Sequence, residues 1–129
     1  MSVQYLGWTT IKQTESLLNA GLDPDTADMY IPQDDSTPVV IDFSLKEHHA
    51  YYPCWSLGKL ISLIPDYIWN ENGYDMFFHL QNNYINYEHF VKEKDFYVND
   101  FISAGKGIVQ NTVNTIIWLL KEGYIKKGH

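Results

Sequence analysis

A lone cysteine with two histidines a few residues upstream is the first place in this chain to look for chemistry: His48, His49 and Cys54. A thiolate placed just before or within the first turn of a helix is favoured by exposed backbone N–H groups and the positive end of the helix dipole. An adjacent imidazole can then act as its base. On that reading the chain is a small hydrolase or thiol enzyme using Cys54 with His48 or His49. The competing reading is a small apolar side chain packed between Pro53 and Trp55, the usual fate of a free cysteine. No family-specific cysteine-protease signature surrounds it.

Three other groups of residues suggest chemistry and are better explained by structure. His48 and His49 with His79 and His89 would make a composite metal site, but adjacent residues point apart on any regular element. The acidic stretch Asp23, Asp25, Asp28, Asp34 and Asp35 fits a calcium loop only at its opening. Ala27 and Asp28 stand where such a loop wants Asp or Asn and then Gly, and Asp34 replaces the closing Glu. Gly105-Lys106-Gly107 precedes a helix but lacks the phosphate-loop pattern and reads as a hinge. No metal and no cofactor is expected.

Composition narrows the class further. The 129 residues are one domain by size, 45% of them apolar, enough for a packed core without staples. One cysteine forms no internal disulfide. No cleavable leader and no long apolar run is visible, so the expectation is a cytoplasmic protein with no membrane contact. Sixteen Asp and Glu outweigh nine basic residues for a net charge of −7. All nine are lysine. A chain without the guanidinium fork and with net negative charge is poorly suited to nucleic acid.

The elements that would position these residues can be read in order. Thr10 and Gln13 have capping-box spacing, and Gly21 suits a left-handed stop, which predicts a helix over 11–20. Asp23-Pro24 predicts a short second helix through about residue 28. Val39, Ile41, Phe43 and Leu45 alternate with more polar residues, predicting a strand over 39–45. Leu57, Leu60, Ile61 and Ile64 share one stripe of a central helix read over 54–64, with Pro53 in its first turn and Pro65 beyond its end. Strands over 75–81 and 84–89 form a hairpin about Asn82-Asn83, pairing Gln81 with Tyr84. That register separates Met76, Phe78, Leu80, Ile85 and Tyr87 from Asp75, Phe77, His79, Asn86 and Glu88, and it places His79 and His89 on opposite faces. Asn99 or Asp100 would cap a short helix, and the last helix covers 108–122 with Gly123 at its end.

TIKQTESLLNAGLDPDTADMYI, YPCWSLGKLISLIP and NTIIWLLKEGYI together cover much of the chain, and the middle block is the most specific. In these blocks the chain resembles a group of small uncharacterised proteins of gut Bacteroides and relatives, often encoded in prophage-like or mobile regions. The resemblance implies a phage or mobile-element accessory role and no catalytic or binding residue.

Ten tyrosines and four tryptophans exceed what the predicted core needs. Tyr51, Tyr52 and Trp55 cluster ahead of the central helix, and Phe77 and Tyr84 face outward on the hairpin. Such side chains combine large area with a polar tip and suit interfaces; alternatively, the N-terminal helices cover that side of the sheet. The combined expectation is an α+β fold, three antiparallel strands with the central and C-terminal helices on one face. Its function would be a non-enzymatic interaction module binding itself or another protein.

Overall fold

The computed structural model describes residues 7–32, 38–40, 51–69, 75–81 and 84–128, with Pro32, Val40 and Tyr51 by backbone alone. The fold is α+β. Two antiparallel sheets replace the single three-stranded sheet expected from the sequence.

The N-terminal helix α1 spans Ile11–Ala20 as predicted. Its capping box is formed in both directions: Thr10 Oγ1 accepts from the Gln13 N–H, and Gln13 Oε1 accepts from the Thr10 N–H. Gly21 ends it at φ +103°, a conformation that only glycine adopts without strain. A single 3-10 turn, Pro24–Thr26, follows and is capped by Asp23. It stops short of the predicted length because the chain straightens into strand β1, Met29–Pro32.

β1 is the centre of the first sheet, between β2, Val39–Val40, and β3, Tyr51–Cys54. The strand predicted over 39–45 is therefore seen only at its first two residues, which pair with β1 and not with the hairpin; residues 41–50 lie outside the described residues. Pro53 corrects the central-helix reading. It sits in β3 opposite Tyr30, on an edge strand that tolerates a missing N–H. The helix α2 begins only after Ser56 and covers Leu57–Ser62.

The second sheet runs β4–β5–β6–β7: Tyr67–Trp69, Asp75–Leu80, Tyr84–Val91 and Phe96–Ala104. Its central pairing has the predicted register. Leu80 lies opposite Ile85, and the Gln81 N–H reaches the Tyr84 carbonyl at 2.9 Å. The helix expected near Asn99 and Asp100 does not form, because both residues belong to β7. Asp100 is the extra residue of a bulge between the pairs Tyr87–Phe101 and Glu88–Asn99.

The last helix, α3, covers Ile108–Glu122 as predicted and closes at Gly123, whose N–H bonds back to Leu119 and Leu120. It lies on one side of the second sheet. Trp118 stacks on Phe101 at 4.8 Å and tilts against Tyr87 at 5.5 Å. Leu17, Trp55, Leu60, Met76, Tyr87, Val113 and Ile116 meet in one core. Beyond Gly123, Tyr124 and Ile125 fold back onto this core.

Candidate functional site

Cys54 is the last residue of β3, two positions ahead of the Ser56 cap, and has no exposed surface. Its sulfhydryl donates to the Thr9 carbonyl at 3.3 Å, and the Thr9 hydroxyl approaches the sulfur at 3.6 Å. Burial pushes the thiol pKa up, outweighing the Thr9 hydrogen bonds that lower it. These are the surroundings of a packed core thiol in its neutral form. His48 and His49 lie outside the described residues.

Thr9, which the sequence analysis did not single out, is the polar centre of this junction. Its hydroxyl accepts from the Trp55 N–H at 3.1 Å and shares a hydrogen bond with Thr14 at 3.0 Å. Trp55 itself is fully buried, its indole N–H donating to Thr26 at 3.0 Å. The expected surface role of Trp55 is thereby corrected: it is a core residue. Asp28 also has a structural task. Its carboxylate accepts from the Ser56 N–H at 2.8 Å and the Ser56 hydroxyl at 2.6 Å, while Ser56 Oγ caps α2 by accepting from the Lys59 N–H.

The two histidines among the described residues separate as the register requires. His79 bonds Glu88 at 2.9 Å on one side of the second sheet, and His89 bonds Asp100 at 2.8 Å on the other. Among the described residues no group of three or more His, Cys, Asp or Glu side chains is placed to hold a metal.

What stands out is the side of the second sheet turned away from α3. Strand pairing arranges it in rows: Trp69 beside Asp75; Tyr67, Phe77, Glu88 and Asn99; His79, Asn86 and Ile102; Phe90 beside Tyr97. The hydrophobic members of these rows are well exposed, Trp69 at 67% and Tyr97 at 60%. Neighbouring rings are already in contact, Tyr67 with Phe77 at 5.6 Å and Phe90 with Tyr97 at 5.1 Å. The Asp75 carboxylate hydrogen-bonds the Tyr67 hydroxyl and raises its pKa. Asn86, at the centre, is 5% exposed and donates to Asn99 at 2.8 Å, while its own side-chain carbonyl has no donor.

Of the five aromatics expected at a binding surface, Phe77 is exposed on this side and Tyr84 is half-buried there. Tyr52 is exposed on the other sheet, Trp55 is internal, and the side chain of Tyr51 lies outside the description. Tyr67, Trp69, Phe90, Tyr97 and Ile102 were missed as a group. β4 is too short to show alternation, and the bulge at Asp100 interrupts the period-two pattern of β7. The N-terminal helix does not cover the exposed side; α1 packs on α3 and β3.

Comparison with family models, curated proteins and solved structures finds no match. No helix among the described residues is long and apolar enough to cross a membrane.

Proposed function

We propose that the chain is a non-enzymatic protein-interaction module that docks a partner on the open side of its four-stranded sheet. The observation that carries this reading is the set of exposed side chains Tyr67, Trp69, Phe77, Phe90, Tyr97 and Ile102 on one side of one sheet. Four strands spaced about 4.8 Å apart and rising about 3.4 Å per residue make a surface roughly 20 Å by 25 Å. Flattened, that is about 500 Å² before side-chain relief, below the ~800 Å² per partner of a standard interface and in the range of a transient one. Exposed rings clustered among polar residues, as on this side, are a mark of interaction sites. Such a module suits the accessory role in phage or mobile elements that the sequence resemblance implies.

The test is site-specific photo-crosslinking in the producing cell, with benzoylphenylalanine at position 77 or 97 and, as control, at Lys12 on exposed α1. Adducts of defined mass from the sheet positions and none from Lys12 are expected. Equal labelling from all three positions removes the reading.

A further inference from the structure

Resting on that docking surface, we infer that its occupant is a cationic polypeptide segment presenting arginine at alternate positions of an extended strand. Strands β4 to β7 contain no lysine, and the chain contains no arginine. Among the described residues of these strands, the carboxylates on the open side are Asp75 and Glu88, each directly across the sheet from an aromatic ring, Asp75 opposite Trp69 and Glu88 opposite Phe77, with the His79 imidazole beside Glu88.

Opposed side chains on neighbouring strands have Cβ atoms about 4.5–5.5 Å apart. A guanidinium lying flat on either ring therefore reaches the neighbouring carboxylate edge-on. That combination of stacking and forked hydrogen bonding is special to arginine and weaker for the compact ammonium of lysine. Both carboxylates are held by neighbours, Asp75 by the Tyr67 hydroxyl and Glu88 by His79 on one oxygen and, at 3.5 Å, by the Asn86 amide on the other. Each retains free lone pairs, since a carboxylate offers about four acceptor sites. Asp75 and Phe77 are two residues apart on β5, so the two ring–carboxylate pairs are offset by about 6.8 Å along the strands and by one strand, about 4.8 Å, across them, a diagonal of about 8 Å that two long arginine side chains from one face of an extended peptide can span.

Charge also decides against the alternatives. A second copy docking face to face would bring no lysine or arginine from any of the four strands to Asp75 and Glu88, leaving only the His79 imidazole, already bonded to Glu88, to meet them. A nucleic-acid strand could stack on the rings, but its phosphates would meet carboxylates where such grooves present lysine and arginine.

The experiment titrates the full chain with short acetylated peptides alternating Arg with Leu, Lys with Leu, and Glu with Leu, followed by Trp emission and backbone amide shifts. Saturable binding of the Arg–Leu peptide is expected, with shifts confined to β4–β7 and affinity falling as salt rises. The Lys–Leu peptide binds more weakly and the Glu–Leu peptide not at all. Trp69→Ala weakens the Arg–Leu complex by about three- to tenfold, and Asp75→Asn and Glu88→Gln each by about two- to fivefold. Both isosteric variants are checked for an unchanged unfolding midpoint. Arg–Leu binding no tighter than Glu–Leu, or unaffected by both carboxylate variants, overturns the inference. If photo-crosslinks still form from position 77 or 97 in that case, the docking surface stands and only its cationic occupant falls. A crosslinked adduct that proves to be a second copy of the chain overturns it as well.

Discussion

Removing the Asp28 carboxylate should loosen the junction between β1, β3 and α2 more than any other single surface-accessible change. Asp28 accepts two hydrogen bonds from one residue, Ser56, at 2.8 and 2.6 Å. A hydrogen bond to a charged acceptor contributes about 1.5–3 kcal/mol. Taking the low end for a half-buried pair, Asp28→Ala costs about 3 kcal/mol and strands the Ser56 amide. Ser56→Ala loses the cap on α2, about 0.5–2 kcal/mol, and one of the two bonds to Asp28, for about 2 kcal/mol in total. The shared hydroxyl–carboxylate bond is counted in both variants. The double variant should therefore fall near 3.5 kcal/mol, a coupling of about 1.5 kcal/mol. Urea unfolding followed by Trp fluorescence resolves this, since slopes of about 1–3 kcal/mol/M convert the Asp28→Ala loss into a midpoint drop of about 1–3 M. An Asp28→Ala variant within about 0.5 kcal/mol of the parent refutes the reasoning, as does a double variant equal to the sum of the singles. Stabilisation by millimolar calcium would instead restore the ion-binding reading of the acidic stretch.

The Cys54 thiol should resist iodoacetamide in the folded protein at neutral pH and react at once in denaturant; prompt labelling of native protein, read by mass shift, contradicts its burial. Alkali should destabilise the fold in two stages. Burial raises the folded-state pKa of Cys54, so above the ordinary thiol value of about 8.5 the unfolded chain releases a proton that the native chain keeps, and stability falls as pH rises. Tyr87 is raised chiefly by burial and then by Asp66, and it repeats the effect above about pH 10. Thermal melts across this range test both stages, and Cys54→Ala should flatten the first. Glycine substitutions should differ in sign. Gly21→Ala meets the Lys127 side chain at 2.9 Å with φ at +103° and should cost about 1–2 kcal/mol. Gly58→Ala, in open space on α2, should stabilise by about 0.5–1 kcal/mol in the same urea assay.

How much of this was legible beforehand depends on how local the cause is. The ends of α1 and α3 depend on Thr10, Gln13, Gly21 and Gly123, residues whose side chains or backbone freedom act within one turn. The β5–β6 register follows from alternation on either side of a two-residue connection. Pro53 misled because proline suits both a helix's first turn and an edge strand, and pairing with Tyr30 decided between them. β1, β3 and β4 are three or four residues long, too few for a period to emerge.

The candidate surface was less legible than the fold. Phe77 could be placed outward from the hairpin alone, but Trp69 and Tyr97 join it only through strands paired on both flanks. Net acidity, the absence of arginine, the single cysteine and the capped helices belong to the sequence by itself, because they are sums or nearest-neighbour effects. Tertiary structure alone placed Cys54 and Trp55 inside around Thr9, and lined up rings and carboxylates across β4 to β7. Those arrangements join residues far apart along the chain, and the choice between burial and exposure is made only when α3 covers one side of the sheet and leaves the other open.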